Sequence, residues 1–491
     1  MRRHPYQWVW LLLALVLIFS AGSLRKSLVQ QKVQENLTFQ GDEAAPPELS
    51  IAMSLGLFRS VILDILWMRA SALQQENRFY EIVQLYDLIG KLQPHNARIW
   101  SYMGWNMAYN ISVALPSAEE RWRWVQNGLQ RLIENGLRYN PYDLDIYQET
   151  ARIYGHKIGQ NLDDAHLYYK TRLCEKVMNI TGQEQFSANV CLDHLNKGSD
   201  QEKESAKLIQ TRLKRDLGLD LAPMAQMESD PFFGPLDWRS PQVMCIYWCR
   251  LGLSKNKFKA NIIPLERMIY QAQQHLLRQG SLVYMPASEF GPASLYIWPD
   301  YNQALPMQKM FERQMEIFEN QKAVSGGVRS AYRHFIDEAL NILILAGQED
   351  LAQEMVRRAT AKRPDFLPSS NAKDLMRQQM AEQLSSMSGD EYSALTASLL
   401  MRHFWWKGQG DERQSNSLLK YAELLWKANA AKNSTGERSV NRSFKDLYLA
   451  VLVDIFKARL FHPAIANALK MTLDSDSLDF LESQLKAKKN K

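Results

Sequence analysis

The chain of 491 residues carries 59 Lys and Arg against 53 Asp and Glu, a net charge of +6, and 46% of it is apolar. So mild a charge, with both signs interleaved, argues against a nucleic-acid binder, while the apolar share supplies ample material for a large core. The length fits about two to four domains or one long repeat array. Leu, Met, Ala, Gln and Arg are plentiful while Val and Thr are sparse, a mix that favours helix over strand.

The N-terminus, "MRRHPYQWVWLLLALVLIFSAGSLRK", has Arg2 and Arg3 and then no Lys, Arg, Asp or Glu before Arg25. Residues 8–24 are almost wholly apolar, and as a helix they reach about 26 Å, just enough to span a thin bilayer. Trp8 and Trp10 fit an interfacial aromatic belt. Arg25 and Lys26 weaken the charge bias across the run without abolishing it. Three readings stay open: a signal-anchor with residues 1–7 in the cytoplasm, a signal peptide cleaved near the small residues Ser20 to Gly22, and a buried helix of a soluble body. The first two predict a body outside the cytoplasm, in the periplasm of a Gram-negative cell. Residues 25–50, with "GDEAAPPE", read as a juxtamembrane helix running into a stalk.

Ordered structure is predicted from residue 51. "LGLFRSVILDILWMRASALQQ" is apolar at Leu57, Phe58, Val61, Ile62, Ile65, Leu66 and Met68, a helical period with a wide buried face. Helix pairs closed by proline follow. The first runs from Leu66 through Ala70, Ile82 and Tyr86 to Pro94. Six residues later Trp100 opens the next helix, followed by Met103, Gly104 and Met107. Its partner, "RWVQNGLQRLIENGLRYNP", spaces Gly128, Leu132, Gly136 and Pro141. Tyr147, again six residues after a proline, opens a third helix with Ala151 and Tyr154 in register, but no closing proline marks its partner. This region spans 51–180.

Between 181 and 306 the pattern is lost. "NKGSDQEKESAKLIQTRLKRDLG" reads as a charged helix, "MESDPFFGPLDWRSPQ" as an irregular stretch, and Pro241 as the first turn of a helix. "LERMIYQAQQHLLRQG" is predicted to pair with that helix. Leu282 to Met285 and Leu295 to Ile297 give the one strand signal, a hairpin over 282–297. In 307–368 the pairing returns, with Gly347, Ala352, Ala359 and Pro364 at its marks. Residues 369–491 read as further helices ending in a basic tail.

These intervals resemble the W-x2-L-G-x2-Y and A-x3-F-x2-A-x4-P pattern of the tetratricopeptide repeat family. The spacing from Pro94 to Pro141 departs from it by about 13 extra residues around "VALPSAEER". The arrangement is also similar to uncharacterised bacterial envelope proteins that set such an array behind an N-terminal anchor. The resemblance implies an all-α superhelix of helical hairpins whose small residues sit at the helix seams. It further implies a concave surface lined by the first helix of each pair. Carried onto this chain, the lining positions are Arg98, Ser101, Trp105 and Tyr109, then Gln148, Arg152 and His156, then His334, Asp337 and Asn341. Aromatic and Arg residues anchor protein interfaces, so Trp105 and Tyr109 beside Arg98 and Arg152 point to a protein partner in the cell envelope. The plainer reading packs Trp105 under the 109–121 connection.

The chain carries no common catalytic signature. It contains no nucleotide-binding glycine loop, HExxH, GxSxG or Cys/His zinc grouping, so neither an enzyme, a cofactor nor a metal is expected. Weaker traces remain. Ser325 to Gly327 with Arg329 would suit an anion, and His334 with Glu338, or Asp163, Asp164 and His166, would suit acid–base or metal work. Asp163 or Asp164 reads more simply as a helix cap. Asp237, Trp238 and Arg239 in a loop would grip a sugar or a peptide, the plainer reading being a loop whose rings plug the end of a helical layer. With Glu289 they support the rival reading, a glycan-acting enzyme or glycan-binding protein on a helical superhelix. A structural subunit of a membrane complex is the third reading. Of the four cysteines, Cys245 and Cys249 share a helix face and read as small core residues, while Cys174 and Cys191 are open to a disulfide.

Overall fold

The computed structural model describes Ser20 and residues 58–257, 260–287, 292–320, 326–361, 363–378, 387–433 and 443–486. These residues are mostly helical, with one two-stranded sheet among them. Apart from Ser20, the anchor and stalk read at 8–50 lie outside the described residues. Among the described residues no helix is long and apolar enough to cross a membrane. Contacts divide the chain into two compact units, one ending at Gln93 and one beginning at Pro94.

In the first unit α1 (Phe58–Gln75) and α2 (Phe79–Leu92) form a hairpin. The turn is closed by Asn77 at φ 57°, a left-handed conformation that Asn tolerates better than most residues. Ala70, Leu73, Ile82, Tyr86 and Ile89 are buried, and Trp67 packs on Tyr86 with ring centres 5.9 Å apart. The predicted wide buried face of α1 is narrower than its apolar residues suggest. Val61, Ile65 and Met68 are more than half exposed.

The second unit opens with α3 (Ala97–Trp105), extended by a π-helical turn (Asn106–Ile111), and α4 (Ala118–Gln130), extended by another (Arg131–Gly136). Ser117 caps α4: its hydroxyl accepts the Glu120 amide at 3.2 Å and donates to the Glu120 carboxylate at 2.8 Å. The two helices approach through glycine. A Cβ on Gly104 would lie 2.6 Å from Leu132, and one on Gly128 would lie 2.7 Å from the Gly104 carbonyl oxygen.

The six-residue step from proline to bulky ring has a local cause. Trp100 Nε1 donates to the Pro94 carbonyl at 2.8 Å, and Tyr147 Oη donates to the Pro141 carbonyl at 2.9 Å. Each ring thereby ties its helix to the proline that precedes it, and Asn140 Nδ2 also donates to the Pro94 carbonyl at 2.8 Å.

Helix α5 (Leu144–Arg152) also runs into a π-helical turn (Ile153–Ile158). It is followed by α6 (His166–Thr181), α7 (Ala188–Lys197), α8 (Asp200–Leu217) and α9 (Leu221–Glu228), then α10 (Pro241–Ser254) and α11 (Ile263–Gln279). Helix α10 pairs with α11, as predicted, and also packs along α5. A Cβ on Gly252 would meet Tyr147 at 2.8 Å, and one on Gly155 would meet the Cys245 sulfur at 2.8 Å. The two helices are therefore antiparallel and in close contact. The partner of the third helix, unmarked in the sequence, stands about 80 residues downstream with α6 to α9 interposed. All four cysteines are free and buried, so no Cys174–Cys191 disulfide exists.

The hairpin of β1 (Ser281–Met285) and β2 (Ser294–Trp298) is antiparallel, with Val283 opposite Tyr296. Val283, Met285, Tyr296 and Trp298 face a core that contains Trp405 and Phe461, while Tyr284 donates to Glu175 on α6 at 3.0 Å. Period-two alternation thus lets one hairpin touch two layers. Helices α12 (Ala304–Asn320), α13 (Gly326–Leu345) and α14 (Glu349–Ala361) enclose a second core around Phe311, Phe335 and Met355. The chain ends in α15 (Gly389–Gly408), α16 (Glu412–Asn433), α17 (Phe444–Lys457), α18 (Pro463–Thr472) and α19 (Ser475–Lys486).

Candidate functional site

Two of the π-helical turns bring predicted groove residues together. Such turns are rare and recur at functional sites. The turn ending α3 carries Tyr109 and the turn ending α5 carries His156 and Lys157. The Tyr109 hydroxyl lies 3.1 Å from His156 Nδ1 and 3.3 Å from the Arg152 carbonyl oxygen. The Arg152 guanidinium sits 4.4 Å from the centre of the same ring, a cation–π contact. Two bonds to Glu149, of 2.6 and 2.9 Å, hold it there.

The charges follow from this packing. Burial raises the Tyr109 phenol well above its usual value, against the pull of Arg152. Burial, then Arg152 and Lys157, lower the His156 imidazole, so it is neutral near pH 7. Burial also raises the Glu149 carboxyl, which Arg152 opposes.

The other predicted positions distribute differently. Trp105 is half-buried, 5.9 Å from the ring of the exposed Tyr102. Arg98 is exposed and Gln148 half-buried, while the Ser101 hydroxyl is enclosed without a hydrogen-bond partner among the described residues. On α13, His334 is exposed, Asp337 pairs with Arg333 at 3.2 Å, and the Asn341 side-chain oxygen is enclosed. Among the described residues no hydrogen bond, ion pair or ring contact joins these three to Tyr109, Arg152 or His156. Glu338 pairs with Arg278 rather than with His334.

Behind the Tyr109 group lies a buried ionic cluster that the sequence did not disclose. Lys157 Nζ bonds Asp163 at 2.5 Å, Tyr169 donates to Asp163 at 3.1 Å, and Arg121 reaches both Asp163 (3.3 Å) and Asp164. Asp163 also accepts the Ala165 amide at 2.9 Å, but neither it nor Asp164 is the helix cap expected: the N-cap of α6 is Ala165, with no side-chain cap bond, and the Asp163 carboxylate instead neutralises Lys157. Burial alone would raise the Asp163 carboxyl; Lys157 and the Ala165 amide pull it down to about 2. Nearby Lys170 is 3% exposed and bonds Asn161 at 2.8 Å and His166 Nδ1 at 3.1 Å. Burial lowers its amine to about 8. The signal in the sequence was a lysine in each of two apolar helical runs, "IYGHKIG" and "LYYKTRL".

The loop read as a sugar grip is not open. Trp238 is 1% exposed, and its Nε1 donates at 2.7 Å to Glu228, which also caps α7 through the Ala188 and Asn189 amides. Arg239 is closed onto Asp237 at 2.8 Å and onto the Leu282 carbonyl at 3.1 Å. An indole with its donor satisfied inside the fold presents no platform. Glu289 lies outside the described residues. Among those residues, no group of three His, Cys, Asp or Glu side chains is placed to hold a metal ion. No protein-family model, curated protein or solved structure matches the chain.

Proposed function

We propose that the chain is a divergent tetratricopeptide-like scaffold that binds another envelope protein along the face of its first helices. Residues 8–24 tether it to a membrane and its body stands outside the cytoplasm. The observation that carries this reading is the bridge from Tyr109 on one helix pair to Arg152 and His156 on the next. It braces a rim on which Trp105, Tyr102 and Arg98 remain accessible. Rings and guanidinium groups on a rigid support are the side chains that most often anchor an interface, and bracing limits the entropy lost on docking. The burial of Trp238 leaves the glycan reading without the ring that would stack on a sugar.

The test is site-specific photo-cross-linking in cells producing the full chain, from position 105 and from the exposed Lys203 on α8 as control. A discrete adduct from 105 that is absent from 203 and lost with Arg98→Glu supports the scaffold. Indistinguishable adducts from the two positions overturn it.

A further inference from the structure

A second feature lies on α4 rather than on the first helices. The interposed helices α6 and α8 pack beside α4, and two adjoining hollows open between them. They share Trp122, Gln126 and Lys176, and the inner one has a volume of about 360 Å³, within the range of small-molecule sites. Its α4 wall offers the amides of Gln126, Asn127 and Gln130, with the rings of Trp122 and Tyr154 behind them. Its far corner turns at Gly218, in the left-handed conformation (φ 70°), where a Cβ would lie 2.5 Å from Ile133. Only glycine lets α8 end this close to α4.

The charges that line the hollows are matched with one exception among the cations. Arg215 holds Asp216 through bonds of 2.6 and 2.8 Å, Arg172 holds Glu175 at 2.8 Å, and Arg123 holds Glu119 at 3.0 Å. Exposed Glu134 accepts from Gln130 at 2.9 Å. Lys176 is half-buried and has no hydrogen bond or ion pair within reach among the described residues. Burial lowers its amine, with Asp216 opposing from a distance. An under-compensated ammonium beside a row of amides makes one chemical pattern, closed from below by the buried rings of Trp122 and Tyr154. The ammonium wants an anionic oxygen and the amides want hydroxyls.

We propose that this hollow binds an acidic saccharide, its carboxylate on Lys176 and its hydroxyls on Gln126, Asn127 and Gln130. The site shares none of the residues assigned to the protein-binding face, although Tyr154 stands on the turn that carries His156. The probe is glucuronic acid, titrated calorimetrically into the full chain. Binding is expected with glucose and acetate each at least about tenfold weaker, since each lacks one half of the recognition. Lys176→Met should lose at least about tenfold in affinity, and Lys176→Arg should retain most of it. Gln126→Leu should weaken binding with the charge intact, so the proposal stays testable should Lys176→Met not fold. No binding of glucuronate up to about 10 mM, or equal affinity in Lys176→Met, overturns the site. Acetate or inorganic phosphate binding as tightly as glucuronate overturns the saccharide assignment.

Discussion

The amine of Lys157 lies 2.5 Å from a carboxylate oxygen of Asp163, and the two side chains are 5% and 6% exposed. A pair so placed is costly to break from one side, because the survivor remains buried and charged. Asp163→Asn should therefore cost about 3 kcal/mol or more in urea denaturation. The double change Lys157→Met with Asp163→Asn should recover a large part of that loss. Equal destabilisation by the single and double variants would refute the pairing argument.

The same pair sets an acid limit. The folded Asp163 carboxyl titrates at about 2, below its ordinary 3.8. Its contribution is complete above about pH 4 and disappears as the pH falls towards about 2, a change of about 2 kcal/mol. Chemical denaturation between pH 5 and pH 2, as measurement conditions, should show wild type losing this increment relative to the double variant.

Lys170 acts in the opposite direction. Its folded value, about 8, lies below the ordinary 10.5. Between those values the unfolded chain holds a proton that the folded chain has released, so stability rises with pH across the window, by about 3 kcal/mol. Lys170→Met should remove this alkaline gain. A wild-type protein whose stability stays flat or falls from pH 8 to 10 relative to that variant would contradict it.

Tyr109→Phe keeps the ring under Arg152 but deletes the hydroxyl that meets His156 and the Arg152 carbonyl. The expected loss is about 1 kcal/mol, that of one neutral hydrogen bond. Arg152→Met should cost more, about 2 kcal/mol, because Glu149, only 13% exposed, is left without its cation. Denaturant midpoints of the two variants should fall in that order.

The seam between α5 and α10 predicts a steric contrast. A Cβ at Gly252 would lie 2.8 Å from Tyr147, whereas one at Gly327 on α13 meets nothing within 4 Å. Gly252→Val should cost about 2 kcal/mol or more. Gly327→Ala should be neutral or stabilising by up to about 1 kcal/mol. Thermal melts of both variants against wild type decide the point.

How much could be read beforehand differs from element to element. The six-residue step from Pro94 to Trp100 and from Pro141 to Tyr147 was visible as spacing, since one hydrogen bond to a proline carbonyl dictates it. The hairpin at 282–297 was visible because β-branched and aromatic residues cluster there, and the structure extends the first strand by one residue and the second by one at each end. The partner of α5 was not visible. Its glycine and cysteines lie beyond the interposed helices, and no local rule links Gly155 to Cys245 across that distance. Trp238 misled because a tryptophan between prolines has the composition of an exposed loop. Glu228, ten residues away, supplies the acceptor that allows its burial.

By itself the amino-acid sequence determined the helical class, the ends of several helices and the glycines at their seams, because propensity, capping and close approach act within a few residues. Tertiary structure alone decided that Tyr109, Arg152 and His156 meet, that Lys157 pairs with Asp163 rather than standing in water, and that Lys176 lines a hollow with only the distant Asp216 to oppose its charge. Those outcomes depend on desolvation and on distances between segments far apart in the chain, and neither is a property of a local run of residues.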